Sequence, residues 1–94
     1  MTHVLASHKV NDYAKWKQTF DNFASTRKAA GEKSFLIMHS QNQPNDLTLL
    51  FEWDNRQNAE KFMHSPELKK AMEQGGVAGA PDIKFLDDAA QGKL

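Results

Sequence analysis

The stretch Phe35–Trp53, FLIMHSQNQPNDLTLLFEW, decides the fold. It reads as two strands joined by a loop, and both strands carry large apolar side chains on both faces. In the first, Phe35 and Ile37 point one way while Leu36 and Met38 point the other. In the second, Leu47, Leu49, Phe51 and Trp53 share one face, and Leu50 interrupts the polar one. An antiparallel sheet covered by helices on a single face alternates apolar and polar residues. A sheet that is apolar on both faces needs a second cover. At 94 residues the chain is one domain that buries roughly 60–65% of its unfolded surface, too little to supply that cover itself. The expected cover is a second copy of the chain, so a homodimer is predicted, with higher assembly left open.

Outward from this hairpin, His3 to Val10 reads as a first strand. Asn11 or Asp12 caps a helix carrying Tyr13, Trp16, Phe20 and Phe23 at helical spacing. Gly31 ends it. The second strand runs from about Lys33 to Ser40, and Asn42 to Asp46, with Pro44 inside, reads as the loop before a third strand from Leu47 to Trp53. Asp54 with Gln57 resembles a capping box for a second helix, whose inner stripe is Ala59, Phe62 and Met63. The helical pattern restarts at Ser65-Pro66 and continues to about Glu73. A glycine-rich link from Gly75 to Pro81 precedes a last strand at Asp82 to Asp87. The order βαββαβ, with right-handed crossovers, predicts a ferredoxin-like α+β sheet of strand order 4-1-3-2 with both helices on one face. Residues 1–88 are expected to form the domain, and 89–94 a frayed tail.

The residues HKVNDYAKWKQTF, RKAAG and FEWDNRQNAEKFMHSPELKKAMEQGGVAGAPDIKFLD resemble small proteins of the dimeric α+β barrel superfamily. In particular they are similar to the set labelled cyclase-like or antibiotic-biosynthesis-monooxygenase-like. The resemblance spans almost the whole chain and implies two ferredoxin-like protomers packed sheet to sheet. It also implies a cavity in each protomer between sheet and helices, and monooxygenase, cyclase or isomerase chemistry. No flavin or nicotinamide fingerprint occurs, and an enzyme without a bound cofactor is expected.

Composition excludes several other classes. Twelve basic and twelve acidic residues cancel and are interspersed, so the basic stripe that nucleic acid or an anionic membrane requires is missing. Without cysteine there is no disulfide, thiolate metal site or cysteine nucleophile. The N-terminal residues form neither a signal peptide nor a membrane span, so a cytoplasmic protein is expected. His3, His8, His39 and His64 show no metal-ligand spacing, and Gly75–Gly79 lacks the lysine and hydroxyl of a phosphate loop.

The residues left to carry chemistry are few. His8, near the end of the first strand, is the simplest general base, and the resemblance also implies a histidine there. Arg27 extends the helical stripe by one more step, placing a guanidinium where an apolar residue would fit. It can clamp a carboxylate or enolate, or else extend to solvent in the last turn of its helix. His39 shares a face with Phe35 and Ile37 and is the other candidate for steadying an oxyanion. Tyr13, Trp16, Phe51, Trp53 and Phe62 are candidates for an apolar lining, with core packing as the alternative. His64 joins them through the resemblance alone. Haem-degrading members of the superfamily pair a tryptophan ending the third strand with a histidine on the second helix, places occupied here by Trp53 and His64. Those enzymes also use an asparagine on the first strand, where this chain has Ser7 and His8. The expected substrate is a small hydrophobic or aromatic molecule with an enolisable or phenolic group. The alternatives are a protein that only binds such a molecule, and a haem-binding relative.

Overall fold

A computed structural model describes residues 1–94 as eight elements. In order they are β1 (Thr2–Val10), α1 (Tyr13–Asn22), α2 (Ala24–Ala30), β2 (Glu32–Ser40), β3 (Gln43–Trp53), α3 (Arg56–Met63), α4 (Pro66–Gln74) and β4 (Val77–Leu86). The strands form one antiparallel sheet ordered β2-β3-β1-β4, the arrangement expected of a ferredoxin-like α+β fold. Residues 87–94 adopt no helix or strand. No helix is long and apolar enough to cross a membrane.

Local chemistry explains most boundaries. Asp12 Oδ1 accepts the free amides of Ala14 and Lys15 at 3.0 and 3.4 Å, starting α1. Ser65 Oγ accepts the amide of Leu68 at 3.2 Å and Pro66 takes the first helical position of α4, so the restart at Ser65-Pro66 is where the pattern placed it. Gly31 stops α2 with φ of 124°, and a Cβ there would lie 2.5 Å from Asp54 Oδ1.

Four boundaries differ from expectation. The cap of α3 is Asn55, whose side chain accepts the Asn58 amide at 2.8 Å, whereas Asp54 accepts from the side chain of Asn58 and the amide of Asn55. The glycine-rich link is largely strand. Val77 and Ala78 pair with Val10 and Lys9, and the glycine and proline that suggest a loop sit instead in an irregular bulge. The loop between β2 and β3 is likewise shorter than the span from Asn42 to Asp46, since β3 begins at Gln43. Pro44 is tolerated there because it lies near the strand's start, where its missing N–H costs little.

The fourth difference is a break in the first helix at Phe23, where nothing in the sequence resembles a helix breaker. Phe23 adopts φ −91° and ψ 1°, and its N–H is shared between the carbonyls of Thr19 and Phe20. The side chain of Arg27 turns back and donates through Nη1 to that same Phe20 carbonyl. A side chain inserted into the backbone ladder is a sufficient cause for a kink.

Register assigns the two faces of the sheet. Val4, Ala6 and Val10 of β1 and Leu47, Leu49, Phe51 and Trp53 of β3 face the helices and are buried, together with Trp16, Ala59 and Phe62. The opposite face presents Leu5, Leu36, Met38, Leu50 and Leu86, with Leu36 53% exposed.

Candidate active site

Between the helices and the inner face of the sheet lies a cavity of about 80 Å³, partly open to solvent and lined mainly by apolar side chains. Trp16, Phe20 and Phe23 form its wall from the first helical arm, and Phe62, Met63, Leu68 and Met72 its wall from α3 and α4. Ala6, Leu49, Phe51 and Ile83 form the floor. Four polar residues line it: His8 at one end, Arg27 and Glu32 at the other, and Thr19, whose hydroxyl donates to the Lys15 carbonyl at 3.4 Å.

His8 owes its position to a fault in the sheet. Ser7 pairs with Asp82 and Lys9 with Ala78, so the two-residue step along β1 is met by four residues of β4. The surplus is taken up around Gly79, at φ 76°, and Pro81, which has no N–H to offer a ladder. His8 therefore has no partner residue on β4, and its ring lies edge-on to Trp16 at 5.7 Å between centroids. Its Nδ1 is buried without a hydrogen-bond partner. Burial pushes its pKa below the usual histidine value, with the Lys9 backbone opposing more weakly, so the imidazole is neutral at neutral pH.

Arg27 is 4% exposed and does not extend to solvent. Its Nε donates to both oxygens of Glu32, at 2.9 and 3.1 Å, and its guanidinium carbon sits 3.6 Å from the centre of the Phe20 ring. Glu32 thus occupies Nε and offsets the charge that a carboxylate clamp would use. Glu32 was not foreseen. It is an acid following the helix-ending glycine, five residues from a cation already on the inner stripe, and that spacing was the available signal. Glu32 is 9% exposed, and burial raises its pKa above the ordinary value, outweighing the opposite pull of Arg27.

Of the nine candidate residues, His8, Trp16, Arg27, Phe51 and Phe62 line the cavity. Four do not. Trp53 is 0% exposed and sealed under Phe62, 5.2 Å away, with its own Nε1 unpartnered. Tyr13 packs on Trp16 with its ring tilted, at 5.9 Å between centroids. His39 shares with His8 the partner residue Leu47, yet it lies on the edge strand near the hairpin, exposed, with Nδ1 2.9 Å from the Ser40 carbonyl. His64 caps the end of α3 and faces an outer groove with Ser65, Pro66 and Lys69. Trp53 in the core and His64 on the surface share no cavity, so the pairing of haem-degrading relatives is not reproduced. No three histidine, aspartate or glutamate side chains converge to hold a metal.

Comparison with known proteins agrees with this architecture. Residues 8–74 match the antibiotic biosynthesis monooxygenase family. No curated protein matches the chain. Among solved structures, an antibiotic-biosynthesis-monooxygenase-type protein from Bordetella bronchiseptica is 17% identical. The match covers 95% of this chain and 97% of that one, with a TM-score of 0.79. SnoaB of Streptomyces nogalater, described as a cofactor-independent oxygenase, superposes with a TM-score of 0.78 at 8% identity, covering 96% and 94%. A protein of the same type from Caulobacter crescentus is 22% identical over 95% and 90%, with a TM-score of 0.72. At such identities these structures share the fold. The family match, spanning most of the chain, goes further: this chain belongs to the antibiotic biosynthesis monooxygenase family.

Proposed function

We propose that this protein is an enzyme working without a bound cofactor, with monooxygenase-, cyclase- or isomerase-like chemistry, on a small hydrophobic or aromatic molecule held in the cavity. The observation that carries this reading is His8. A neutral imidazole at the wall of an apolar cavity carries a ring nitrogen able to accept a proton. A phenol or enol seated there transfers its O–H proton to His8, leaving an electron-rich anion beside the imidazolium. The surrounding aromatic side chains exclude water, which strengthens that ion pair. From that anion, isomerisation or cyclisation needs only a second proton transfer. With dioxygen as co-reactant, one oxygen atom adds to an anionic carbon. The other leaves as water with two hydrogens from the substrate, so no external reductant is required.

The same reading takes the apolar outer face of the sheet as the contact between two copies. Leu5, Leu50 and Leu36 adjoin through the register, with Met38 beside Leu36 and Leu86 opposite His3, and a strip of this kind on a small domain is a favoured association surface. A family fold with one covered and one bare apolar sheet face supports it.

The test is a panel of phenols and enolisable ketones incubated under air with the wild type and His8→Ala, followed by mass spectrometry of products and by oxygen uptake. Turnover by the wild type should fall about 10²–10⁴-fold in the variant, the range typical of a lost general base, while thermal stability is retained. If a ligand raises the melting temperature of both proteins but neither converts it, the enzyme reading fails and a binding protein remains.

A further inference from the structure

The far end of the cavity is polar in an unusual way. Glu32 is nine-tenths buried and lines the cavity, yet its two carboxylate oxygens share a single donor, the Nε–H of Arg27. A carboxylate offers about four acceptor positions, so most of this one's capacity is unused in a site otherwise walled by Phe20, Phe23, Phe51 and Phe62. Arg27 spends Nε on Glu32 and Nη1 on the Phe20 carbonyl, and its Nη2 has no protein partner. The cation is already neutralised by its neighbour, and the exposed acceptors belong to an acid. Such an end attracts a hydrogen-bond donor and repels an anion.

Its distance from His8 is also informative. His8 lies opposite Leu47 and Glu32 opposite Trp53 on the intervening strand. At ~3.3 Å per residue that is about 20 Å along the strand direction. The two polar ends therefore engage different parts of a substrate, or different molecules.

We propose that the Arg27–Glu32 pair is a second recognition point of the cavity, which receives the hydroxyl of an uncharged ligand on the Glu32 carboxylate and turns carboxylate-bearing ligands away. This rests on the reading of the cavity as the substrate site, and it narrows the substrate class to neutral hydroxylated molecules. It also reverses the role expected of Arg27, whose charge is offset by Glu32 and whose Nε is already taken. Removing the negative charge without changing the shape would release that cation, and the selectivity would invert.

The probes are 4-bromophenol and 4-bromobenzoate, matched in size and differing in charge at neutral pH. Their affinities are measured calorimetrically on the wild type, Glu32→Gln and His8→Ala. The wild type should bind the phenol at least tenfold more tightly than the benzoate. Glu32→Gln should reverse the order, with a gain of at least tenfold for the benzoate. His8→Ala should keep the wild-type order, which separates this recognition from proton transfer: loss of turnover in that variant bears on the catalytic reading alone. A Glu32→Gln ratio within twofold of the wild type, or failure of both probes to bind the wild type, would overturn the proposal. Should Glu32→Gln fold poorly, the wild type crystallised with 4-bromophenol decides. Anomalous scattering from bromine gives the ring orientation. The phenolic oxygen within hydrogen-bond distance of Glu32 supports the assignment, and any other position overturns it.

Discussion

Replacing Arg27 with methionine keeps the length of the side chain and removes the charge, leaving Glu32 alone in the interior. Breaking a buried pair by removing one partner costs about 3–5 kcal/mol, because the remaining charge is uncompensated. Arg27 also donates to the Phe20 carbonyl at the helix break and packs on the Phe20 ring, so the upper half of that range is expected. A domain of this kind has only about 5–15 kcal/mol in total, so the variant should fold but lose a large share of its stability. The loss should depend on pH, and its direction follows from Glu32. Burial already holds the Glu32 pKa above its ordinary value of 4.5, and Arg27 is what lowers it. Without Arg27 the folded-state pKa rises further. A raised folded pKa means that the stability tied to the bound proton is complete below about 4.5 and is lost as pH rises through the folded value. The gap between wild type and Arg27→Met should therefore be widest at pH 8 and shrink toward pH 5, by at most about 1.4 kcal/mol per pH unit for one proton. Urea unfolding followed by circular dichroism at pH 5, 6, 7 and 8 measures it directly. The double variant Arg27→Met/Glu32→Leu removes the stranded acid and should match or exceed the wild type, as apolar replacements of buried pairs commonly do. A loss under about 1 kcal/mol at pH 8, or a gap that does not change with pH, would refute the account of this pair.

His8 should impose the opposite pH trend: with a folded pKa below 6.5, its contribution is intact above that value and declines as pH falls through 6.5 toward the folded value. His8→Phe should abolish this part of the slope, seen in the difference between the two stability curves. Leu36→Lys places a charge on the outer apolar face and should convert a dimer to a monomer at micromolar concentration in light scattering; an unaffected dimer would put the interface elsewhere. Gly31→Ala combines a positive φ with a Cβ 2.5 Å from Asp54 Oδ1, and should cost about 1–3 kcal/mol. At about 4–8 °C per kcal/mol for a domain of 60–100 residues, that is a readily measured drop in melting temperature. A melting point unchanged within error would mean the turn relaxes around the methyl group.

Much of the fold is legible because its signals are local. Alternation in Leu47–Trp53, helical spacing from Tyr13 to Phe23, and the cap at Ser65-Pro66 each depend on residues a few positions apart. Where local signals mislead, a distant partner has intervened. The segment from Gly75 to Pro81 has the composition of a loop, but Val77 and Ala78 satisfy their backbone groups on β1. The helix break at Phe23 leaves no local trace, since its cause is a guanidinium reaching back from the following turn.

The site divides along the same line. By itself, the sequence determined that the sheet would be apolar on both faces, that Tyr13, Trp16, Phe20 and Phe23 would share one helical face, and that Arg27 continued that stripe. Strand parity sorts residues into two faces but does not say which of them, and so whether His8, meets the cavity. Tertiary structure alone decided which of those inward residues meet empty space. Trp53 and Phe51 share a strand face, yet one is sealed under α3 and the other lines the cavity. Only the fold could join Arg27 to Glu32, because an ion pair is defined by where two side chains end, not by where they begin. And only the mismatch between two residues of β1 and four of β4 leaves His8 without a partner residue on that strand. Periodicity fixes direction; depth and company depend on the packing of the whole chain.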